Sequence, residues 1–221
     1  MNRTPVYIIC SPRPLVGKTL IARMMTEFQL LKNGEVVAFD INLKEPSLLE
    51  YLPDITETAE IGDTYGKMAL MDRLIINDGL TKVIDLGFHA FDEFFKMSDE
   101  IGFMKEATRR GVAPIVLFVA DNDRVSIRSQ AMLQRQIPST ALVTIDNEYV
   151  LRGDLPEGFA ARGEALHIGA LQAFLKSYVD RLSFSFTDYL RSQKDSSSEL
   201  HEWIRRNYVN FRDLELDLVP Q

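Results

Sequence analysis

Gly17-Lys18-Thr19 is a stretch whose residue types and order suit a definite chemistry, the binding of a phosphate. It follows a β-branched and aromatic run, Val6 to Cys10, and precedes a segment of helical periodicity. A tight turn between a strand and a helix aims several backbone N–H groups at an anion, and the helix N-terminus adds a favourable field. In such a turn Gly17 permits close backbone approach, Lys18 supplies charge to the β- and γ-phosphates, and Thr19 offers a hydroxyl to Mg2+. The general nucleotide-binding pattern also asks for glycine five residues ahead of Gly17, where this chain has Pro12. Three readings therefore stand: a working phosphate site, a descendant of one that no longer binds nucleotide, and a helix start that merely contains Lys and Thr.

The surrounding pattern supplies the elements such a turn needs. Ser11-Pro12-Arg13-Pro14 ends the first strand, because proline fixes φ and removes a backbone donor. Leu20, Ile21, Met24, Phe28 and Leu31 recur at helical spacing, which predicts a helix from Gly17 to about Lys32, closed by Asn33-Gly34. Glu35 to Asp40 reads as a second strand, completing one βαβ unit. The chain then leaves through Asn42 to Pro46, Ser47 is the expected cap of a short helix at Leu48 to Tyr51, and residues 53–66 read as polar and irregular at least in part. Lys67 to Ile76 reads as a helix and Lys82 to Asp85 as the third strand. Two helices, Phe88 to Met97 and Glu100 to Arg110, are separated by Ser98-Asp99, with Ser98 as a cap. Pro114 to Ala120 has the continuous apolar character of a strand covered on both faces; Arg124 to Gln136 follows as a helix and Thr140 to Ile145 as a fifth strand.

Past Ile145 the pattern weakens. Residues 146–163 hold several turn formers, Leu166 to Ile168 reads as a short strand, and Ala170 to Leu182 as a helix. An aromatic segment, Phe184 to Leu190, has no clear period; a turn and cap at Asp195 to Ser198 then precede a helix over Glu199 to Tyr208. Short strands alternating with longer helical stretches predict an α/β fold, a doubly wound, mostly parallel sheet with helices on both faces. The expected organisation is a single domain over residues 1–221, with residues 182–221 as a helical C-terminal extension packed on it.

In this setting Arg13-Pro14-Leu15-Val16-Gly17-Lys18-Thr19 resembles the deviant Walker A loop of the ParA/MinD-like partition ATPases, P-loop NTPases in which it reads Lys-Gly-Gly-x-Gly-Lys-Thr/Ser. Val16, Gly17, Lys18 and Thr19 fit. Arg13 stands at the signature lysine, which in that family reaches across an ATP-sandwich dimer; arginine keeps the charge but presents a rigid planar fork. Pro14 and Leu15 replace the two glycines. Proline has no amide to donate and neither residue visits positive φ cheaply, so a somewhat different backbone path is expected. Val36 to Asn42 resembles the family's second strand with its Asp-x-Asp element, Asp40 at the first aspartate and Asn42 at the second, which helps activate the attacking water. Asparagine can hold a water but cannot take its proton. Lys82 to Gly87 resembles the Walker B strand, with Asp85 either holding Mg2+ or capping the next turn. Pro114 to Ala120 resembles the fourth core strand, and Asp121 and Asp123 beyond it are either switch or metal residues or a solvated acidic turn.

The resemblance implies a protein that binds ATP and Mg2+, hydrolyses ATP slowly, and changes between monomer and homodimer. It assigns catalytic roles to Lys18, Asp40 and Arg13, nucleotide contacts to Arg13 through Thr19, and magnesium to Thr19 and Asp85. The family couples this cycle to positioning plasmids, chromosomes, membranes or large assemblies, which implies a protein partner. Two alternatives stay open. One is a degenerate P-loop interaction module, favoured by Pro12, Pro14, Leu15 and Asn42; the other is a small-molecule phosphotransferase in which Asp40 or Asp85 places an acceptor.

Composition bounds these readings. The 221 residues are 46% apolar and 26% charged, a globular balance. No apolar stretch approaches the roughly 18 residues of a membrane span, and Met1 to Pro5 is too short and polar to lead a secretory signal. A single cysteine, Cys10, excludes an internal disulfide framework and fits a reducing compartment, so a cytoplasmic location is expected. The net charge of -7 argues against direct nucleic-acid binding as the main activity, although Arg109-Arg110 and Arg205-Arg206 are local basic pairs. With three histidines (His89, His167 and His201, far apart) and one cysteine, neither a zinc site nor histidine catalysis is expected. Phe94, Phe95, Phe184 and Phe186 read as core or interface aromatics, and Trp203 as a core residue or an interface anchor.

Overall fold

Strands whose residues are apolar on both faces must be covered on both faces, and Thr4–Cys10, Val37–Ile41, Lys82–Leu86 and Val112–Val119 are buried along their whole length. The computed structural model describes residues 3–42, 47–138, 140–159, 165–192 and 196–219. Within them, β1 (Thr4–Cys10), β2 (Val37–Ile41), β3 (Thr56–Thr58), β4 (Lys82–Leu86), β5 (Val112–Val119), β6 (Ala141–Asn147) and β7 (Leu166–Ile168) form one sheet in the order β3-β2-β4-β1-β5-β6-β7. Every neighbouring pair is parallel. This is the expected doubly wound α/β fold.

Alternation along β1 divides the core in two. Tyr7 and Ile9 face α1 (Lys18–Asn33), α2 (Leu48–Tyr51), α8 (Ala173–Val179), α9 (Phe186–Ser192) and α10 (Glu199–Leu218). Val6, Ile8 and Cys10 face α3 (Thr64–Leu74), α4 (Phe91–Glu100), α5 (Phe103–Arg109) and α6 (Arg124–Gln136). Cys10 is fully buried, and burial pushes its thiol pKa well up. The chain thus leaves β1 towards one face and β4 and β5 towards the other, which opens a crevice at the carboxyl ends of the central strands. At the opposite end, buried Lys82 is satisfied by the Ile76 and Leu80 carbonyls, at 3.0 and 3.1 Å, and by Asp78 at 2.7 Å.

The C-terminal layer is locked to α1. Phe28 packs against Tyr208 and Phe211 with ring centroids 5.4 and 5.9 Å apart. Arg23 and Glu27, one turn apart on α1 and both buried, form an ion pair at 3.4 Å. Arg23 also donates to the carbonyls of Val179 and Phe184, while Glu27 accepts from Ser185 and the Thr187 amide. Its guanidinium stacks on Tyr51 and Phe186, 4.4 and 4.5 Å from their centroids.

Several local expectations change. The irregular stretch 53–66 contains β3, a three-residue edge strand whose Thr-Glu-Thr sequence has no apolar alternation to reveal it. Ser98 is no cap: α4 runs through it to Glu100, its side chain is buried, and the break falls at left-handed Gly102. Ser47 makes no capping bond to α2; the carboxylate of Asp40 takes the Leu48 and Leu49 amides instead, at 2.8 and 3.2 Å. The aromatic segment at 184–190 is largely helix α9, and the last helix continues to Leu218. Residues Leu43 to Pro46 and Asp195 of the expected turns lie outside the described residues. Among the described residues, no helix is long and apolar enough to cross a membrane.

Candidate functional site

The turn between β1 and α1 lies in the crevice, and its backbone takes positive φ at two places. Leu15 has φ 59° and is 96% exposed; Gly17 has φ 93°. Leucine therefore adopts the left-handed conformation that its type resists, in the position where the resembling loops carry glycine. Val16 between them is buried and anchors the turn, and its carbonyl accepts from the Asn147 side chain at 3.0 Å. A Cβ at Gly17 would come within 2.6 Å of that same amide, at a φ that side chains rarely adopt, so the position favours glycine.

Behind the turn, the remaining residues converge. Lys18 is buried, and its ammonium donates to the Arg13 carbonyl at 2.6 Å, 6.0 Å from the Phe88 ring centroid. Burial lowers the pKa of Lys18, against the opposing pull of Asp85. Thr19 donates its hydroxyl proton to Asp85 at 2.6 Å, and the Ser47 hydroxyl lies 3.0 Å from the Thr19 oxygen. With the Thr19 proton so placed, Ser47 is the donor in that second contact. Asp85 is held by β4, and burial pushes its carboxyl up to about 7, with neighbouring Asp40 adding to the shift.

A cavity of about 430 Å3 opens over Lys18 and Thr19, in the usual range for ligand pockets. Asn42, Ser47, Asp85 and Gly87 line it on the side of β2 and β4, and Lys176 of α8 and Asp180 at that helix's C-terminal end line it from the other. The concavity needed for an anion is therefore open despite Pro12, Pro14 and Leu15. Thr19, Ser47 and Asp85 are hard oxygen donors of the kind Mg2+ prefers, so the residues present fit that ion.

Two expected site residues point elsewhere. Arg13 turns outward to Asp121 and Asp123, at 3.7 and 3.2 Å, which accounts for both acids as its partners. Asp123 also caps α6. Asp40 does not line the cavity; its oxygens hold the Asn42, Leu48 and Leu49 amides, and burial raises its pKa. Among the described residues, no cluster of three or more His, Cys, Asp or Glu side chains is placed to hold a metal. The phenylalanines at 94, 95, 184 and 186 are buried, and Trp203 is buried with its indole donating to the Gly169 carbonyl at 2.6 Å. Arg109 and Arg110 both bind Glu106.

Residues that sequence reasoning missed are those brought in from a distance. Asn147 ends β6 and caps α7 (Glu148–Leu151), two residues past the point where the sequence pattern ended that strand. Ser47 and Lys176 carry no motif. No protein-family model matches the chain, and no curated protein matches it.

Proposed function

We propose that this chain binds ATP with Mg2+ at the 11–19 turn and uses it as a ParA/MinD-like switch between monomer and homodimer. The observation that carries the reading is the open cavity above a turn in which Lys18, Thr19 and Asp85 converge although two glycines of the resembling loop are absent. The left-handed Leu15 supplies the bend that glycine would otherwise give.

Lys18 exchanges the uncharged Arg13 carbonyl for anionic phosphate oxygens, so that both partners of its hydrogen bond carry charge. Thr19, with Asp85 behind it and Ser47 beside it, would hold the magnesium, which would shield the phosphate charge. Asp40 positions α2 through its bonds to the Leu48 and Leu49 amides and holds the Asn42 amide with its other oxygen. Asn42 holds a water without deprotonating it, so turnover is slow. Arg13 and Asp123 form a partly exposed pair, a kind worth no more than about 1 kcal/mol, so Arg13 is easily released to a second copy.

Titration calorimetry with ATP and ADP, with and without Mg2+, together with mass determination by light scattering, tests the proposal. Saturable Mg-ATP binding with a doubling of mass is the expected result. Lys18→Ala should lower affinity at least about 10-fold while melting as a folded protein, as loss of a charged hydrogen bond requires. Unchanged affinity in that variant would remove Lys18 from the site. The fully exposed Leu15 at the rim favours a second reading, a nucleotide-independent interaction module, and absence of binding at millimolar nucleotide would select it.

A further inference from the structure

The cavity has a wall that no sequence pattern marks. Lys176 on α8 and Asp180, which ends that helix one turn later, both face it. They are ion-paired with each other, and the Lys176 ammonium lies 5.9 Å from the Tyr149 ring centroid. Lys176 also lines a smaller cavity of about 120 Å3, together with Leu15, Gly17 and Asn147, so it stands where the two spaces meet beside the turn.

An ordinary pair at this spacing lies on the solvent face of a helix and contributes little. This one faces a concavity instead, and the Lys176 side chain is only 26% exposed. The other arginines near the turn do not offer a charge to this cavity. Arg13 is turned out to Asp121 and Asp123, and Arg23 is fixed in the buried network with Glu27. A polyphosphate entering the cavity brings several negative charges to a site that Lys18 alone does not balance.

We infer that Lys176 is a phosphate-binding residue supplied by the same chain, which exchanges Asp180 for oxygens of a nucleoside triphosphate. Asp180 is then the competitor that holds the ammonium when no phosphate is present. The inference rests on the nucleotide reading above. It also ties occupancy to the C-terminal layer, since Val179, between the two residues, gives its carbonyl to Arg23 at 2.8 Å.

Calorimetry with Mg-ATP, Mg-ADP and AMP on the full chain tests it, with thermal melts as a check on folding. Lys176→Ala should weaken ATP at least about 10-fold and AMP much less, Lys176→Arg should restore most of the loss, and Asp180→Asn should tighten ATP. A Lys176 that only staples α8 would make Lys176→Ala and Asp180→Asn change binding alike, and that result overturns the inference. So does ATP affinity unchanged in Lys176→Ala while Lys18→Ala abolishes it, a pattern that leaves the nucleotide reading standing. A wild-type chain that binds no nucleotide overturns both. If Lys176→Ala melts early, the contrast between Lys176→Arg and Asp180→Asn decides the same question.

Discussion

At the scale of single residues, Leu15 and Asp85 each make a measurable expectation. Leu15 holds a left-handed φ of 59° with almost all of its side chain in solvent, so glycine there relieves backbone strain and gives up no packing. Glycine's extra freedom in the unfolded chain offsets part of that gain, and Leu15→Gly should be stabilised by up to about 1 kcal/mol in urea denaturation. Loss of more than about 1 kcal/mol would mean the leucine makes a contact this structure does not show. Asp85 is a carboxyl whose pKa is raised to about 7 in the folded state, so the folded protein holds a proton that the unfolded chain releases near the ordinary value of 3.8. Its contribution to stability is whole below that ordinary value and is lost as pH rises to about 7. In metal-free buffer, the melting temperature of Asp85→Asn minus that of wild type should therefore grow between about pH 4 and about pH 7 and then level off. A difference that stays flat across that range would place the carboxyl in a wetter setting than the structure gives it.

At the scale of elements, the decisive joint is Arg23 with Glu27. Removing the arginine leaves a carboxylate buried without its cation and two carbonyls without their donor, so Arg23→Ala should destabilise by about 3–5 kcal/mol. Replacing both by apolar residues, Arg23→Met with Glu27→Leu, removes the uncompensated charge but leaves the Val179 and Phe184 carbonyls and the Thr187 amide unpaired, so it should recover only part of that loss in the same denaturation series. A single variant as stable as wild type would show that α9 is not held through α1. The docking of this pair was not legible beforehand, because the groups it holds lie about 160 positions away in sequence. The elements themselves were far more legible. β5 announced itself through an unbroken apolar run, and α1 through its period and its glycine stop. β3 did not, since a polar edge strand is defined by its neighbour β2 and not by its own residues. The turn was likewise readable in Gly17, Lys18 and Thr19, whereas Asn147, Ser47 and Lys176 belong to the site only because the sheet order carries them there.

At the scale of the whole molecule, the proposal makes the chain a unit that pairs with itself when loaded. Arg13 is outside its own cavity, so Arg13→Ala should keep Mg-ATP affinity within a few-fold while the doubled mass seen by light scattering disappears. Dimerisation unchanged in that variant would detach Arg13 from the interface. Cys10, sealed at the end of the central strand with its thiol held in the unreactive form, bears on how such motions can be followed. It is the only thiol in the sequence, so a cysteine introduced at the surface takes a maleimide dye alone, with no need to remove the native one. Modification of Cys10 itself then becomes a clock for the rare opening of the sheet's centre, read separately from the traffic at its rim.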